Sequence, residues 1–205
     1  MSTTPHCDMT ESQSICVFCG SSTGTRPIYT KIARRLGEEL ARQGVRLVYG
    51  GGRVGLMGIV ADAVLGAGGR AIGVIPDALA TKEIAHDGLT ELHVVSGMHE
   101  RKALMATKSS AFLTLPGGIG TFEEFFEILS WGALGIHQKP VGILNVDGYF
   151  DPLIALLDHG IAEQFIRPGF LHSLIVSDNP DTLIGNLFAY VPPAVGPRWI
   201  KLEET

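Results

Sequence analysis

The sequence predicts an α/β fold, a doubly wound parallel sheet of about seven strands with helices on both faces. Short runs rich in valine, isoleucine and leucine alternate with amphipathic segments of helical length along nearly all of the 205 residues, and this alternation is typical of parallel sheets. The strand-like runs are apolar at consecutive positions, which indicates strands buried on both faces.

The first half of the chain supplies three strands and two helices. Strands are predicted to begin at Ile15 (ICVFCG), Arg46 (RLVYGG) and Arg70 (RAIGVIP). Helical periodicity follows the first two strands, over residues 27–43 and 56–65. A polar loop that contains Glu83 and His86 follows the third strand.

The second half continues the alternation with four strands and four helices. Strands are predicted to begin at His93, Ala111, Pro140 and Leu174, and helices to cover residues 98–109, to start near Thr121, and to cover 150–164 and 181–190. Because parallel crossovers are right-handed, every strand ends at the same edge of the sheet, where doubly wound folds bind ligands. We expect one domain over residues 14–192, with flexible tails at 1–13 and 193–205.

Composition narrows the classes of partner. Hydrophobic residues make up 45% and charged residues 18% of the chain, and the net charge is −5. This excludes a disordered chain, and no basic stripe suggests a nucleic-acid partner. No signal peptide pattern and no apolar run of about 20 residues is present. We therefore expect a cytoplasmic protein that binds no membrane.

The cysteines and histidines do not indicate a metal site or a disulfide framework. Cys16 and Cys19 have the C-x-x-C spacing, but residues three apart in a strand point to opposite faces of the sheet. The histidines show no metal-ligand spacing such as H-x-x-x-H. We expect no metal and no cofactor.

Glycine-rich loops follow several of the strands. They are Gly20-Ser21-Ser22, Gly50-Gly51-Gly52 with Gly55, and Pro116-Gly117-Gly118-Ile119-Gly120-Thr121. Glycines allow backbone amides to approach a phosphate closely, and the following helix adds partial positive charge. The spacing does not match a dinucleotide fingerprint or a P-loop. We predict a cleft for a small anion, with Gly20, Ser21, Gly51 and Gly52 as candidate substrate-binding residues.

Glu124 has two interpretations. Thr121 and Glu124 fit a capping box, in which the threonine caps the helix and the glutamate reaches back. Glu124 also groups with Ile128 and Trp131, away from the polar group of Glu123, Glu127 and Ser130, whereas Phe122, Phe125, Phe126 and Leu129 form the apolar stripe. A carboxylate beside a large aromatic side chain at the ligand edge is a candidate catalytic group.

Arg101 is a cation on the apolar side of its helix, since Met98, Leu104 and Met105 are its helical neighbours. It either extends to water at the helix end or contacts an anion at the ligand edge. Lys102 either adds a second positive charge at the substrate or is a solvated surface residue.

These motifs together resemble the LONELY GUY (LOG) family of cytokinin riboside 5′-monophosphate phosphoribohydrolases. PGGIGTFEE at 116–124 matches the family signature PGGxGTxxE, and the stretches at 50–58, 98–102 and 131–149 are also similar to the family. The resemblance covers roughly residues 15–178. Many relatives carry the label lysine decarboxylase, but this sequence has no motif for a pyridoxal phosphate Schiff-base lysine, so we reject that label.

The resemblance implies a Rossmann-like fold, a homodimer, and release of a free base and ribose 5-phosphate from a purine nucleoside 5′-monophosphate. It assigns Arg101 and Glu124 as the catalytic pair. Gly117, Gly118, Gly120 and Thr121 match the phosphate-binding loop, and Glu83 matches a substrate-contacting position. AMP and N6-prenylated AMP remain open as substrates. The alternative is a non-catalytic nucleotide or cofactor carrier on the same fold, which would need the loop but not the pair.

Overall fold

The structure, a computed structural model, describes residues 13–80 and 84–193. Seven strands are formed: β1 Ser14–Phe18, β2 Arg46–Tyr49, β3 Ala71–Pro76, β4 Glu91–Val95, β5 Ala111–Thr114, β6 Val141–Leu144 and β7 Leu174–Ser177. The six helices are α1 Pro27–Arg42, α2 Gly55–Gly66, α3 Met98–Thr107, α4 Ile119–Ala133, α5 Asp151–Ala162 and α6 Pro180–Ala189. Each strand and helix predicted from the sequence is present.

The strands form one parallel sheet in the order β4-β3-β2-β1-β5-β6-β7. The chain runs outward from β1 towards β4, crosses back to β5 and continues outward to β7. The direction of winding therefore reverses between β1 and β5, and such a reversal opens a crevice at the carboxyl ends of the two strands. The predicted α/β, doubly wound fold with helices on both faces is confirmed.

The two faces of the sheet have separate apolar cores. Ile15 and Val17 of β1 pack with α1, α2 and α6, whereas Cys16 and Phe18 pack with α3, α4 and α5. Cys19 packs on the face opposite Cys16, as predicted, so the C-x-x-C pair does not share a ligand. Both cysteines are free and buried.

The helix boundaries agree with those predicted from the sequence to within a few residues. The start of α4 differs in its N-cap residue. This helix begins at Ile119 rather than near Thr121, and Gly118 is its N-cap without a side-chain hydrogen bond. Among residues 13–80 and 84–193, no helix combines the length and the hydropathy needed to cross a bilayer.

Candidate active site

Arg101 lies in the first turns of α3 with its guanidinium over the sheet. Its Nε donates a hydrogen bond to the carbonyl oxygen of Val74 in β3 at 3.1 Å, and its Nη1 lies 3.3 Å from the sulfur of Met98. The side chain is 12% exposed. The guanidinium therefore does not extend to water, and its position on the sheet-facing side agrees with the helical periodicity.

Glu124 forms an ion pair with Arg101. The Arg101 Nη1 donates to Glu124 Oε1 at 2.8 Å, although the two residues are 23 positions apart, and both side chains are 12% exposed. The capping-box interpretation is wrong. Because α4 begins at Ile119, Thr121 is already the third residue of the helix and Glu124 lies too far along it to reach the amide of the N-cap.

Burial raises the pKa of the Glu124 carboxyl above its ordinary value, and the Arg101 guanidinium opposes that shift without cancelling it. Burial, and after it the Glu124 carboxylate, also raises the pKa of the Cys19 thiol. Glu124 lies on α4, which packs against β1. The carboxylate therefore lies in a site of low polarity close to the reversal in strand order.

Gly50, after β2, provides the space that the guanidinium occupies. A Cβ added at Gly50 would lie against the Arg101 Nη2, well inside van der Waals contact. Any larger residue at this position would displace the guanidinium. Gly50 therefore contributes to the geometry of the ion pair, a role that was not predicted from the sequence.

Lys102 points to a different set of carboxylates. Its Nζ donates to Glu123 Oε1 at 2.5 Å and to Glu127 Oε1 at 3.0 Å, and its side chain is 9% exposed. It is therefore not a solvated surface residue, and Glu123 and Glu127 are not simply the solvated side of α4. Its role as a substrate-binding residue remains a prediction.

The apolar stripe predicted for α4 needs one further correction. Phe125 and Leu129 are buried as expected, whereas the Phe126 side chain is 37% exposed. Ile128, which the sequence grouped with Glu124, is also buried in the core under α4. The helix therefore faces the sheet with Phe122, Phe125, Ile128 and Leu129, and Ile128 takes the place that the predicted stripe gave to Phe126.

The loop after β5 leads into the amino end of α4. The first backbone hydrogen bond of the helix runs from the Phe122 amide to the Gly118 carbonyl at 3.0 Å, so the amides of Ile119, Gly120 and Thr121 have no partner within the helix. Such unpaired amides, together with the helix dipole, are an anion-binding arrangement.

Gly117 and Gly20 join the loops after β5 and β1. The Gly20 amide donates to the Pro116 carbonyl at 3.1 Å. A Cβ at Gly117 would overlap the Thr121 hydroxyl and would also come within 2.8 Å of the Gly20 amide nitrogen. Thr121 is buried. The close approach of the two loops therefore requires glycine at position 117.

A cleft of about 290 Å³ lies between these loops. It is lined by Gly20, Ser21, Ser22, Thr23, Gly24, Tyr29, Leu56, Pro116, Gly117, Gly118 and Tyr149. Four predicted binding residues are in this lining, namely Gly20, Ser21, Gly117 and Gly118. Arg101 and Glu124 are not, and they connect to the cleft through α4 and the loop that precedes it.

Gly51 and Gly52 were predicted to line the same cleft as Gly20 and Ser21, but they are not among the residues that line it. Gly52 forms an antiparallel bridge with Ala85, and the Gly51 carbonyl accepts from the His86 amide at 2.9 Å. These glycines therefore anchor the chain that leads into β4, beside the Gly50 position that contacts Arg101. Glu83 lies outside the described residues, so its predicted contact stays a prediction.

Three other residues of this region were not predicted from the sequence. Glu123 and Glu127 hold Lys102, and their spacing of four along a helix was the available signal. Tyr149 lines the cleft, and it is the last residue of the stretch 131–149 that resembles the family. Within the described residues, no group of three or more His, Cys, Asp or Glu side chains is arranged to hold a metal ion.

Two solved structures illustrate the proteins that share this architecture. The molybdenum cofactor binding protein from Rippkaea orientalis superposes with a TM-score of 0.66 at 23% identity, over 87% of this chain and 96% of that one. The molybdenum cofactor carrier protein from Chlamydomonas reinhardtii gives a TM-score of 0.66 at 23% identity, over 87% and 99%. At this identity the likeness shows the fold alone.

Sequence comparison shows the family. Residues 57–187 match the family model described as possible lysine decarboxylase. A probable cytokinin riboside 5′-monophosphate phosphoribohydrolase of Oryza sativa subsp. japonica is 51% identical over 178 residues, 87% of this chain and 73% of the relative. A cytokinin riboside 5′-monophosphate phosphoribohydrolase of Arabidopsis thaliana is 48% identical over 178 residues, 87% of this chain and 78% of the relative. With half of its residues shared over most of both chains, this chain belongs to the LONELY GUY family of cytokinin riboside 5′-monophosphate phosphoribohydrolases.

Proposed function

We propose that the protein hydrolyses the N-glycosidic bond of cytokinin riboside 5′-monophosphates, with AMP as a further substrate. The products are the free base, an N6-modified adenine or adenine, and ribose 5-phosphate. The observation that carries the proposal is the Arg101–Glu124 ion pair, with 2.8 Å between nitrogen and oxygen. Glu124 lies on α4, the helix whose first amides have no partner within the helix. The names of the relatives from Oryza sativa and Arabidopsis thaliana support the same reaction.

Glu124 acts on the ribose. As the bond between the anomeric carbon and the base nitrogen breaks, positive charge develops on the ribose, and a nearby carboxylate stabilises it and orients a water molecule. The water oxygen forms the new bond to the anomeric carbon, and a water proton is transferred to the departing base. Arg101 holds the carboxylate in place and offers positive charge to the nucleotide.

The loop of Gly117, Gly118, Gly120 and Thr121 binds the 5′-phosphate. Phosphate binding remote from the breaking bond fixes the position of the ribose relative to Glu124. A nucleoside without the phosphate should therefore react much more slowly than its monophosphate. Equal kcat/KM values for AMP and adenosine would refute this role of the loop.

The principal test is release of the free base, detected by chromatography after incubation with isopentenyladenosine monophosphate, AMP, GMP or CMP. We expect adenine-type bases to be released, and the comparison of the first two defines the preference for the N6 substituent. Binding of the nucleotide without release of base would overturn the proposal in favour of a carrier.

Glu124→Gln tests the catalytic assignment. We expect kcat to fall by about 10²-fold or more, on the scale of positioned acid–base groups, while the fold is retained by circular dichroism. Glu123→Gln is the matched control, because it changes the neighbouring carboxylate of the same helix, which contacts Lys102. Near-normal turnover by Glu124→Gln would return Glu124 to a structural role.

A lysine decarboxylase activity is not part of the proposal. Lys102, the lysine next to the ion pair, is held by two carboxylates, and these keep its ammonium charged rather than nucleophilic. Burial lowers the pKa of Lys102, but the hydrogen bonds that its ammonium donates to Glu123 and Glu127 reverse the shift and leave the pKa raised. A Schiff-base lysine needs the opposite shift.

We further propose a cytoplasmic homodimer. The support for the homodimer, which the family resemblance implies, is the set of exposed apolar side chains on α3 and α4. They include Met98, Ile119 and Phe126. Exposed large apolar side chains on neighbouring helices favour a surface that another protein covers.

A further inference from the structure

The turn between β6 and α5, residues 145–150, is held in a strained conformation. Asp147 has φ of +51°, a left-handed conformation that is rare for residues other than glycine, and Gly148 follows with φ of +73°. Asn145 closes the turn, since its Oδ1 accepts from the Phe150 amide at 2.8 Å and its Nδ2 donates to Asp151 at 2.7 Å. Backbone strain of this kind persists where surrounding contacts enforce it, often at functional sites.

This turn presents Tyr149 to the loop after β5. The Tyr149 hydroxyl donates to the Gly117 carbonyl at 2.5 Å across 32 positions of sequence. Its ring packs edge-on against Tyr29, at 5.8 Å between ring centroids, and against Phe150, at 4.9 Å. Both neighbours restrict the rotation of the phenol, so its hydroxyl has a defined position.

The turn is also held by a residue that follows the loop after β1. Arg26, the N-cap of α1, forms an ion pair with Asp147, and its guanidinium lies 5.8 Å from the centre of the Tyr29 ring. The loop after β1, the loop after β5 and the turn therefore form one connected wall, and Tyr29 and Tyr149 both line the cleft.

The hydrogen bond to Gly117 controls an adjacent amide. In a trans peptide unit the carbonyl of one residue and the amide of the next point in opposite directions. A fixed Gly117 carbonyl therefore fixes the direction of the Gly118 amide, at the N-cap of α4. If this peptide unit turned over, a carbonyl oxygen would take the place of the amide and would repel an anion.

We propose that Tyr149 is a positioning residue that orients the Gly117–Gly118 peptide unit for binding of the 5′-phosphate. The inference rests on the proposed function, because it assigns the phosphate to the loop of that site. Tyr149 acts through the backbone and does not take part in cleavage of the glycosidic bond. Its removal therefore weakens binding of phosphate-bearing ligands and leaves the chemical step intact.

The test compares Tyr149→Phe with Tyr190→Phe. Both variants lose one phenolic hydroxyl, but within the described residues the Tyr190 hydroxyl is buried without a hydrogen-bond partner, so it serves as the matched control. Calorimetry measures the Kd of ribose 5-phosphate and the Kd of adenine as the free base, and kinetics give kcat and KM for isopentenyladenosine monophosphate. Thermal unfolding gives the Tm of each protein.

For Tyr149→Phe we expect the Kd of ribose 5-phosphate and the KM of the nucleotide to rise about 3- to 10-fold, the effect of one net hydrogen bond. We expect kcat within about twofold of wild type, and unchanged binding of the free base. Tyr190→Phe should match wild type in all three measurements.

Three results would overturn the inference. The first is an unchanged Kd for ribose 5-phosphate in Tyr149→Phe, and the second is failure of the wild-type protein to bind ribose 5-phosphate at all. The third is an equal loss of affinity for ribose 5-phosphate and for the free base, which would indicate that the substitution loosens the whole site. If wild type binds ribose 5-phosphate but releases no base, the proposed function fails, and the comparison of Kd values still decides the role of Tyr149.

Discussion

The Glu124 carboxylate is subject to two opposing influences. Burial disfavours its charged form and the Arg101 guanidinium favours it, and burial prevails, so the pKa lies above the ordinary 4.5. This partner comes from another helix, and no local pattern in the sequence identifies it.

The raised pKa predicts the pH profile of the reaction. If the carboxylate is the active form, kcat/KM falls as pH decreases through the folded pKa, so the acidic limb should have its midpoint above pH 4.5. The measurement is kcat/KM against pH for wild type and Glu124→Gln. The residual activity of the variant should show no such limb, and an identical limb in both proteins would contradict the assignment.

The same shift has a consequence for stability. Because the folded pKa is above the unfolded value, the contribution of Glu124 to stability is complete below about pH 4.5 and is lost as pH rises through the folded pKa. The stability of Glu124→Gln relative to wild type should therefore increase as pH rises from about 4.5 through the folded pKa, as urea unfolding at each pH can measure.

Gly50 shows how a residue without a side chain shapes the site. We expect Gly50→Ala to displace the Arg101 guanidinium from Glu124 and to lower kcat/KM by about 10²-fold, as small misplacements of catalytic groups do. Gly66→Ala is the matched control, since a Cβ at Gly66 meets no atom within 4 Å. Assays of base release on both variants check this, and equal activities would show that the guanidinium accommodates the methyl group.

At the scale of elements, Lys102 ties α3 to α4. Its ammonium lies between Glu123 and Glu127, with Nζ to Oε1 distances of 2.5 and 3.0 Å. Since Arg101 precedes Lys102 and Glu124 follows Glu123, the same two helices carry both ion pairs. The register that sets one pair also sets the other.

Lys102→Met leaves the two carboxylates facing each other without their cation. We expect a loss of about 1 to 2 kcal/mol in unfolding free energy, less than the roughly 3 to 5 kcal/mol for a fully buried pair, because the Glu123 side chain is 52% exposed. The double variant Lys102→Met/Glu127→Gln should recover part of the loss in a double-mutant cycle. A raised KM with unchanged stability would instead favour a direct contact between Lys102 and the substrate.

At the scale of the whole molecule, the sequence predicts the strands and helices better than it predicts which of them lie next to each other. Apolar runs such as that at Ile15 and the periodicity of 27–43 predict the strands and helices, because these signals are local. The adjacency of β1 and β5 is not local, and it brings Gly20 to Pro116. The contacts Arg101–Glu124 and Tyr149–Gly117 likewise depend on the packing of distant elements, so the sequence could nominate residues but not pair them.

The assembly of two copies is the remaining property of the whole molecule to test. Phe126 lies on α4 with its side chain 37% exposed, on the helix that carries Glu124, whereas Phe165 is 87% exposed in the segment after α5. If α4 forms the dimer interface, Phe126→Ser should shift the protein towards monomer in light scattering, and Phe165→Ser should not. Because the interface would then buttress the helix of Glu124, we also expect kcat/KM of Phe126→Ser to depend on protein concentration. A monodisperse wild-type monomer would contradict the proposed homodimer, and an undisturbed dimer of Phe126→Ser would move the interface away from α4.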